Sequence, residues 1–159
     1  MANGHPVGGL VTRAEVMGRF RKSYRCFNTF GGNPVSCAAA MAVLEELQDK
    51  HLQAHANRVG AYARTRLADL ASRHTGIADV RGCGMVFGAE FVKAGDPDRP
   101  ATDHADAVVN AMRDEGVLLS RLGRYRNTLK IRPPMPLGTD HVDLMIDTLD
   151  RVLARLPVP

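Results

Sequence analysis

Tryptophan is absent from this 159-residue chain, and all aromatic residues together make up only 5% of it. A core without large rings has to be filled by aliphatic side chains, alanine and methionine. Cysteine is also scarce: Cys26, Cys37 and Cys83 are odd in number, far apart and free of any C-x-x-C spacing. That argues against a disulfide framework and against a structural zinc site. No long apolar run occurs. The alanine-rich stretch from Ala38 to Ala42 is short and is followed at once by Glu45 and Glu46, so no membrane span is expected. The N-terminus shows no charged leader ahead of an apolar stretch, and no secretory signal is expected. The reducing cytoplasm is the compartment that suits these cysteines.

What is present fits a soluble globular protein, with 45% hydrophobic and 24% charged residues. A chain this long can form one domain, or a domain plus an arm, and bury about 70% of its unfolded surface. The net charge of +4 and a pI near 9.3 raise the question of nucleic acid. The densest basic segment, Arg13, Arg19, Arg21, Lys22 and Arg25, has little aromatic interleaving and no nucleic-acid module around it. A solvated face, or a rim that attracts small anions, is the better reading.

Periodicity divides the chain into elements. Residues 6–12 read as a short buried strand, and Ala14 to Phe20 as a helical turn. Pro34 to about Asp49 reads as a long helix, with proline at its first position, where the missing N–H costs nothing. Leu52, Ala56, Val59, Ala63, Leu67 and Leu70 then form one apolar stripe; whether the two runs are one bent helix is left open. Ile77 to Val92 reads as strand, close approach at Gly82 and Gly84, then strand again. Gly95 to Pro100 is a turn cluster. A helix around Ala105, Val108, Val109 and Met112 ends at Gly116. Val117–Ser120 and Thr128–Ile131 read as two further strands, and Thr139 as the cap of a last helix with Val142, Met145, Ile146, Leu149, Leu153 and Leu156 on its stripe. From about residue 75 this order predicts an α+β domain, two helices covering one face of an antiparallel sheet. Residues 1–34 fall outside it and read as the trailing edge of another domain.

Three groups of residues could carry chemistry. Asn28-Thr29-Phe30-Gly31-Gly32-Asn33-Pro34 sets a hydroxyl beside two glycines just ahead of a helix, a plausible anion-binding turn; alternatively Thr29 only caps or closes that turn. Lys130 and Arg132 alternate about Ile131 on a strand, so both can face one side; Arg132 could equally pair with a surface carboxylate. His51 and His55 have i, i+4 spacing, but no third metal ligand is evident, and exposed helix histidines are the plainer reading. Arg81 reads as a solvated arginine at a strand end, the alternative being a contribution to a domain interface.

The order of motifs resembles the C-terminal part of a class III pyridoxal-phosphate-dependent aminotransferase, of fold-type I. The carrying residues are Asn3-Gly4-His5-Pro6-Val7-Gly8, Asn28 through Pro34, Val80-Arg81-Gly82-Cys83-Gly84-Met85, and Asn127 through Pro134. They occur in the family's order along nearly the whole chain, closest in pattern to the branch of alanine–glyoxylate aminotransferase and ethanolamine-phosphate phospho-lyase. The resemblance implies residues 1–34 as the trailing edge of a cofactor-binding large domain, 35–74 as long linking helices and 75–159 as a C-terminal small α+β domain.

It further implies a cofactor, pyridoxal 5'-phosphate, whose phosphate is reached by Thr29 of the neighbouring subunit in a homodimer. His5 is expected to pack near the cofactor loop. Lys130 stands where many members carry the arginine that clamps the substrate carboxylate; lysine is a mobile point charge rather than a planar fork. Relatives with Lys-Ile-basic-Pro-Pro include enzymes that eliminate phosphate from phosphoethanolamine. Family chemistry needs a lysine bonded to the cofactor, placed just before the segment matching Met1 to Gly4, and an aspartate further upstream. Lys22, the first lysine here, matches no such motif. The chain is therefore expected to be a fragment, inactive alone and unable to bond the cofactor covalently. The activity implied for the full-length form is transfer of an amino group from an amine or amino acid to a 2-oxo acid. The alternatives are phospho-lyase action on an amino-alcohol phosphate, or a non-catalytic binding or dimerisation domain. Neither nucleic acid nor membrane is an expected partner.

Overall fold

The apolar stripe that begins at Leu52 decides where the core forms. In a computed structural model describing residues 2–157, the chain divides after His51 into two compact units. The unit from Leu52 onward begins with helix α3, Leu52–Arg73, which buries Ala56, Val59, Ala63, Leu67 and Leu70, as its periodicity predicts, and also Gly60. The hairpin β1, Ile77–Cys83, and β2, Val86–Phe91, follows. After a 3-10 turn at Lys93–Gly95 come helix α4, Thr102–Asp114, strands β3, Ser120–Leu122, and β4, Thr128–Ile131, and helix α5, Thr139–Arg155.

The four strands form one sheet in the order β1-β2-β4-β3, every neighbouring pair antiparallel. Side chains alternate across a strand, so Phe87, Ala89, Phe91, Leu129 and Ile131 share one face, all buried. Helices α3 and α4 pack on the sheet, and α5 packs against both. Val142, Met145, Ile146, Leu149 and Leu153 of α5 complete the core. The α+β class and the antiparallel sheet are as the strand and helix order predicts, but the helices on the sheet are α3 and α4, where the order from residue 75 predicts α4 and α5. Between α3 and the hairpin the backbones approach so closely that a Cβ on Gly60 would lie 1.9 Å from the Gly84 carbonyl oxygen.

The ionic contacts lie around that core. Arg66 pairs with Asp143 and, at 3.2 Å, with Asp147, while Tyr62 donates to Asp143 at 2.7 Å. At the far end of the same two helices, Arg73 and the residue after it, His74, meet Asp150 at 2.5 and 2.6 Å. Hydrogen bonding from His74, then from Arg73, holds the Asp150 carboxyl below its ordinary pKa.

Residues up to His51 form the other unit. Helix α1, Ala14–Ser23, and helix α2, Pro34–Asp49, have no buried residue. The predicted bounds of α2 agree with the structure. A break separates it from α3: His51 has φ 48, in the left-handed region, and its N–H donates to the Gln48 carbonyl at 3.1 Å. The two runs are therefore distinct helices.

Three local expectations fail. Residues 6–12 are not a strand, and Leu10 and Val11 are 77% and 99% exposed rather than buried. Val117–Ser120 is not the third strand, because pairing begins only at Ser120. Gly116, at φ 85, and Val117 instead close the end of α4, donating to the Arg113 and Met112 carbonyls at 2.9 and 2.8 Å. Thr139 is the first residue of α5 rather than its cap; Gly138 holds the cap position, with no side-chain hydrogen bond.

Candidate functional site

The turn before α2 is closed by asparagines. Asn28 Oδ1 accepts from the Phe30 N–H at 3.2 Å, and the Gly31 N–H reaches the Asn28 carbonyl at 3.2 Å. Asn33 caps the helix: its Oδ1 accepts from the Ser36 N–H at 2.9 Å, and its Nδ2 donates to the Phe30 carbonyl at 2.9 Å. Ser36 Oγ also meets His5 Nε2 at 2.9 Å, which ties the Asn-Gly-His segment to the first turn of α2. Thr29 takes no part in this. It is exposed, and its hydroxyl and N–H have no hydrogen-bond partner among the described residues. Gly32, at φ 72, likewise has an uncommitted N–H, and nothing lies within 4 Å of where its Cβ would be. The turn thus presents a hydroxyl and two N–H groups to anything that approaches, a donor set suited to a phosphate.

The second set of candidates lies on the sheet face opposite the helices. Register places Arg81, Gly88, Lys130 and Ser120 in one row across β1, β2, β4 and β3. Asp79, Glu90, Thr128 and Leu122 form the adjacent row. Arg81 is exposed, as the sequence reads it, but it lies within β1 and is not left to solvent alone. It pairs with Asp79 and, at 2.6 Å, with Glu90. Hydrogen bonding to Asp79, then to Glu90, raises its pKa above the ordinary arginine value. Asn127, buried and unanticipated, donates to Glu90 at 3.3 Å and to the Phe91 carbonyl at 2.7 Å. The carboxylates of this face are therefore held beside Arg81.

Lys130 is left without a carboxylate. It is half-buried, between the bare backbone of Gly88 and the small Ser120, and its ammonium has no partner among the described residues. Arg132, one alternation further along, is exposed and also unpaired among them, so the surface carboxylate allowed for it by the sequence is absent there. Leu118, Leu119, Ser120, Lys130 and Arg132 line an open depression of about 250 Å³. Lys130 and Arg132 do share it, as their alternation predicts. Ser120 was missed because its apolar neighbours made it read as the end of a strand that in fact starts with it.

Other candidates carry no site. His55 is not a metal ligand in waiting: Nε2 meets the Leu137 carbonyl at 2.9 Å and Nδ1 meets Arg58 at 3.1 Å. His51 lies in the helix break rather than one turn before it. No cluster able to hold a metal occurs among the described residues, and none of their helices is long and apolar enough to cross a membrane. His104 escaped notice in the sequence. It is buried edge-on against Phe91 with ring centroids 5.0 Å apart, its Nε2 has no hydrogen-bond partner, and burial pushes its pKa down.

Comparison with known proteins adds context to this geometry. A family model described as aminotransferase class-III matches residues 1–153. A mitochondrial alanine–glyoxylate aminotransferase 2 homolog 2 of Arabidopsis thaliana is 36% identical over 98% of this chain and 32% of its own length. An ethanolamine-phosphate phospho-lyase homolog 1 of Caenorhabditis elegans is 36% identical over 98% of this chain and 34% of its own. Among solved structures, a phospholyase from Arthrobacter in complex with phosphoethanolamine superposes with a TM-score of 0.92 at 41% identity, covering 99% of this chain and 37% of that one. The chain spans about a third of the length of the curated relatives it matches.

Proposed function

The chain belongs to the aminotransferase class-III family, and on that premise we propose that it supplies the C-terminal part of a pyridoxal-phosphate enzyme acting on a primary amine. Pyridoxal phosphate supplies an electron sink for bonds around the amine carbon. The donor set of the turn before α2 fits its phosphate: Thr29 Oγ1 with the N–H groups of Thr29 and Gly32, all uncommitted. Because Asn28 and Asn33 already close the turn, Thr29 is free for that role. In the homodimer proposed for the whole enzyme, Thr29 serves the partner's site. The apolar side chains exposed on residues 10–44 support a surface covered in the assembled enzyme. Residues 1–34 are then the edge of the large domain, 35–74 the linking helices and 75–159 the small domain. Three free, exposed cysteines fit a reducing compartment, and we place the enzyme in the cytoplasm on that ground.

The substrate reading best supported is an amino-alcohol phosphate, from which the enzyme eliminates phosphate. The observation that carries it is the pair Lys130 and Arg132, two unpaired cations in one depression where the family pattern carries an arginine fork. A phosphate dianion satisfies two cations; a carboxylate leaves one over. In that elimination the carbon–oxygen bond to phosphate breaks and a proton leaves the amine carbon. Water then releases ammonia and an aldehyde. Amino transfer to a 2-oxo acid is the second reading, favoured by the Arabidopsis aminotransferase at 36% identity. The enzyme carrying this chain decides between them when supplied with phosphoethanolamine. Inorganic phosphate in step with acetaldehyde is expected; alanine from added pyruvate, with no phosphate, would establish transfer instead. For the chain alone, no visible absorbance band of bonded cofactor is expected on mixing with pyridoxal phosphate. Borohydride trapping of the cofactor on one specific lysine would contradict that.

A further inference from the structure

We infer that Ser120 is a specificity-determining residue, binding the phosphate end of the substrate together with Lys130 and Arg132. This deepens the elimination reading and rests on it. Ser120 is the direct antiparallel partner of Lys130, and side chains so paired have Cβ atoms about 4.5–5.5 Å apart on one face. Both line the depression that Arg132 also enters.

A carboxylate has two oxygens and one negative charge, which a single cation fulfils. A phosphate monoester presents three terminal oxygens and close to two charges, and so needs a third donor. Ser120 is the one hydroxyl in this lining, exposed and without a hydrogen-bond partner among the described residues. Gly88, on the other side of Lys130, contributes no side chain, and Arg81 and Asn127 hold Glu90 away. The depression is therefore cationic, with one hydroxyl and no free carboxylate. Its volume of about 250 Å³ is below that of drug-sized pockets, about 300–1,000 Å³, and suits a small headgroup. Leu118 and Leu119 form the rest of its wall, where a short carbon chain can lie.

The test needs no turnover. Inorganic phosphate is titrated into the 159-residue chain at low ionic strength and followed by amide resonances, with acetate as the control anion. Saturable shifts at Ser120 and Lys130 with phosphate, and weaker ones with acetate, are expected. Ser120→Ala should weaken phosphate binding about tenfold, the usual effect of losing a hydrogen bond to a charged group, while Ser120→Thr retains it. Equal phosphate binding by Ser120→Ala, or shifts that leave both residues unmoved, would overturn the assignment. In the whole enzyme, Ser120→Ala should raise KM for phosphoethanolamine with kcat little changed. Phosphate release with an unchanged KM in Ser120→Ala would sink the Ser120 assignment alone. Amino transfer without phosphate release, alongside a phosphate affinity that depends on Ser120, would sink the elimination reading alone.

Discussion

The two units of this chain use their apolar residues in opposite ways. From Leu52 onward, three helices and a four-stranded sheet enclose one cluster running from Ala56 to Leu153. Before it, neither helix buries a side chain, and ten of the fifteen exposed large hydrophobics among the described residues lie there, from Leu10 to Leu44. Local chemistry is equally good in both. Helix α2 has a proline at its first position and a bonded asparagine cap, yet its local signals do not bury it. Well-written secondary structure is thus no measure of a self-sufficient core. Most helical stability in proteins comes from packing an apolar face, and within this chain only the second unit does so.

Truncating core side chains should expose that difference most strongly. Leu67→Ala and Leu129→Ala, each removing a fully buried side chain, are expected to cost about 2–5 kcal/mol in denaturant unfolding. Leu44→Ala, at a residue 43% exposed, should change stability by about 0.5 kcal/mol or less. Equal losses at Leu44 and Leu67 would end the contrast. Gly60→Ala probes the same unit through its backbone. The added methyl meets the Gly84 carbonyl oxygen rather than a flexible side chain, so α3 and the hairpin have to part. A loss of about 1–3 kcal/mol is expected, read as a lower melting temperature.

The contrast also explains what was legible in the sequence. Helices announce themselves locally. Asn33-Pro34 marks the start of α2, and the stripe of α5 from Val142 to Leu153 is the face that is buried. Strands depend on their partners. Pro6 to Thr12 has strand-like composition but forms no strand, and Leu10 and Val11 stay exposed. Val117 looks apolar enough for β3, but its N–H is already taken by the Met112 carbonyl at 2.8 Å. Lys130 and Arg132 were legible because alternation along one strand suffices to place them together. Ser120 was not, because only the β3–β4 register brings it to Lys130. His104 was invisible for a related reason: its position on the buried face of α4 does not reveal that nothing would meet its Nε2.

That histidine gives the second unit an acid sensitivity. Burial lowers the folded-state pKa of His104 below the ordinary imidazole value of about 6.5. Above that value the imidazole is neutral in both states. As pH falls below it, the unfolded chain takes up the proton first, so stability declines until the depressed folded value is reached. His104→Leu should flatten the fall in melting temperature between pH 7 and pH 5 relative to the parent. At pH 7 it should also relieve the cost of a buried unpaired nitrogen, about 1–3 kcal/mol. A variant with an unchanged pH slope would show that the sensitivity arises elsewhere.

A local effect is expected within the first unit, and it separates folding from function there. Asn33 bonds the Ser36 N–H and the Phe30 carbonyl, so Asn33→Ala should cost α2 about 1 kcal/mol of helix stability, the usual worth of such a cap. Thr29, four residues earlier and joined to nothing by its hydroxyl, should leave the helix unchanged when replaced by alanine. Amide exchange at Ser36 and Cys37 distinguishes the two, accelerating in Asn33→Ala and not in Thr29→Ala. If Thr29→Ala accelerates it equally, the hydroxyl is part of the turn and is not held free for a phosphate.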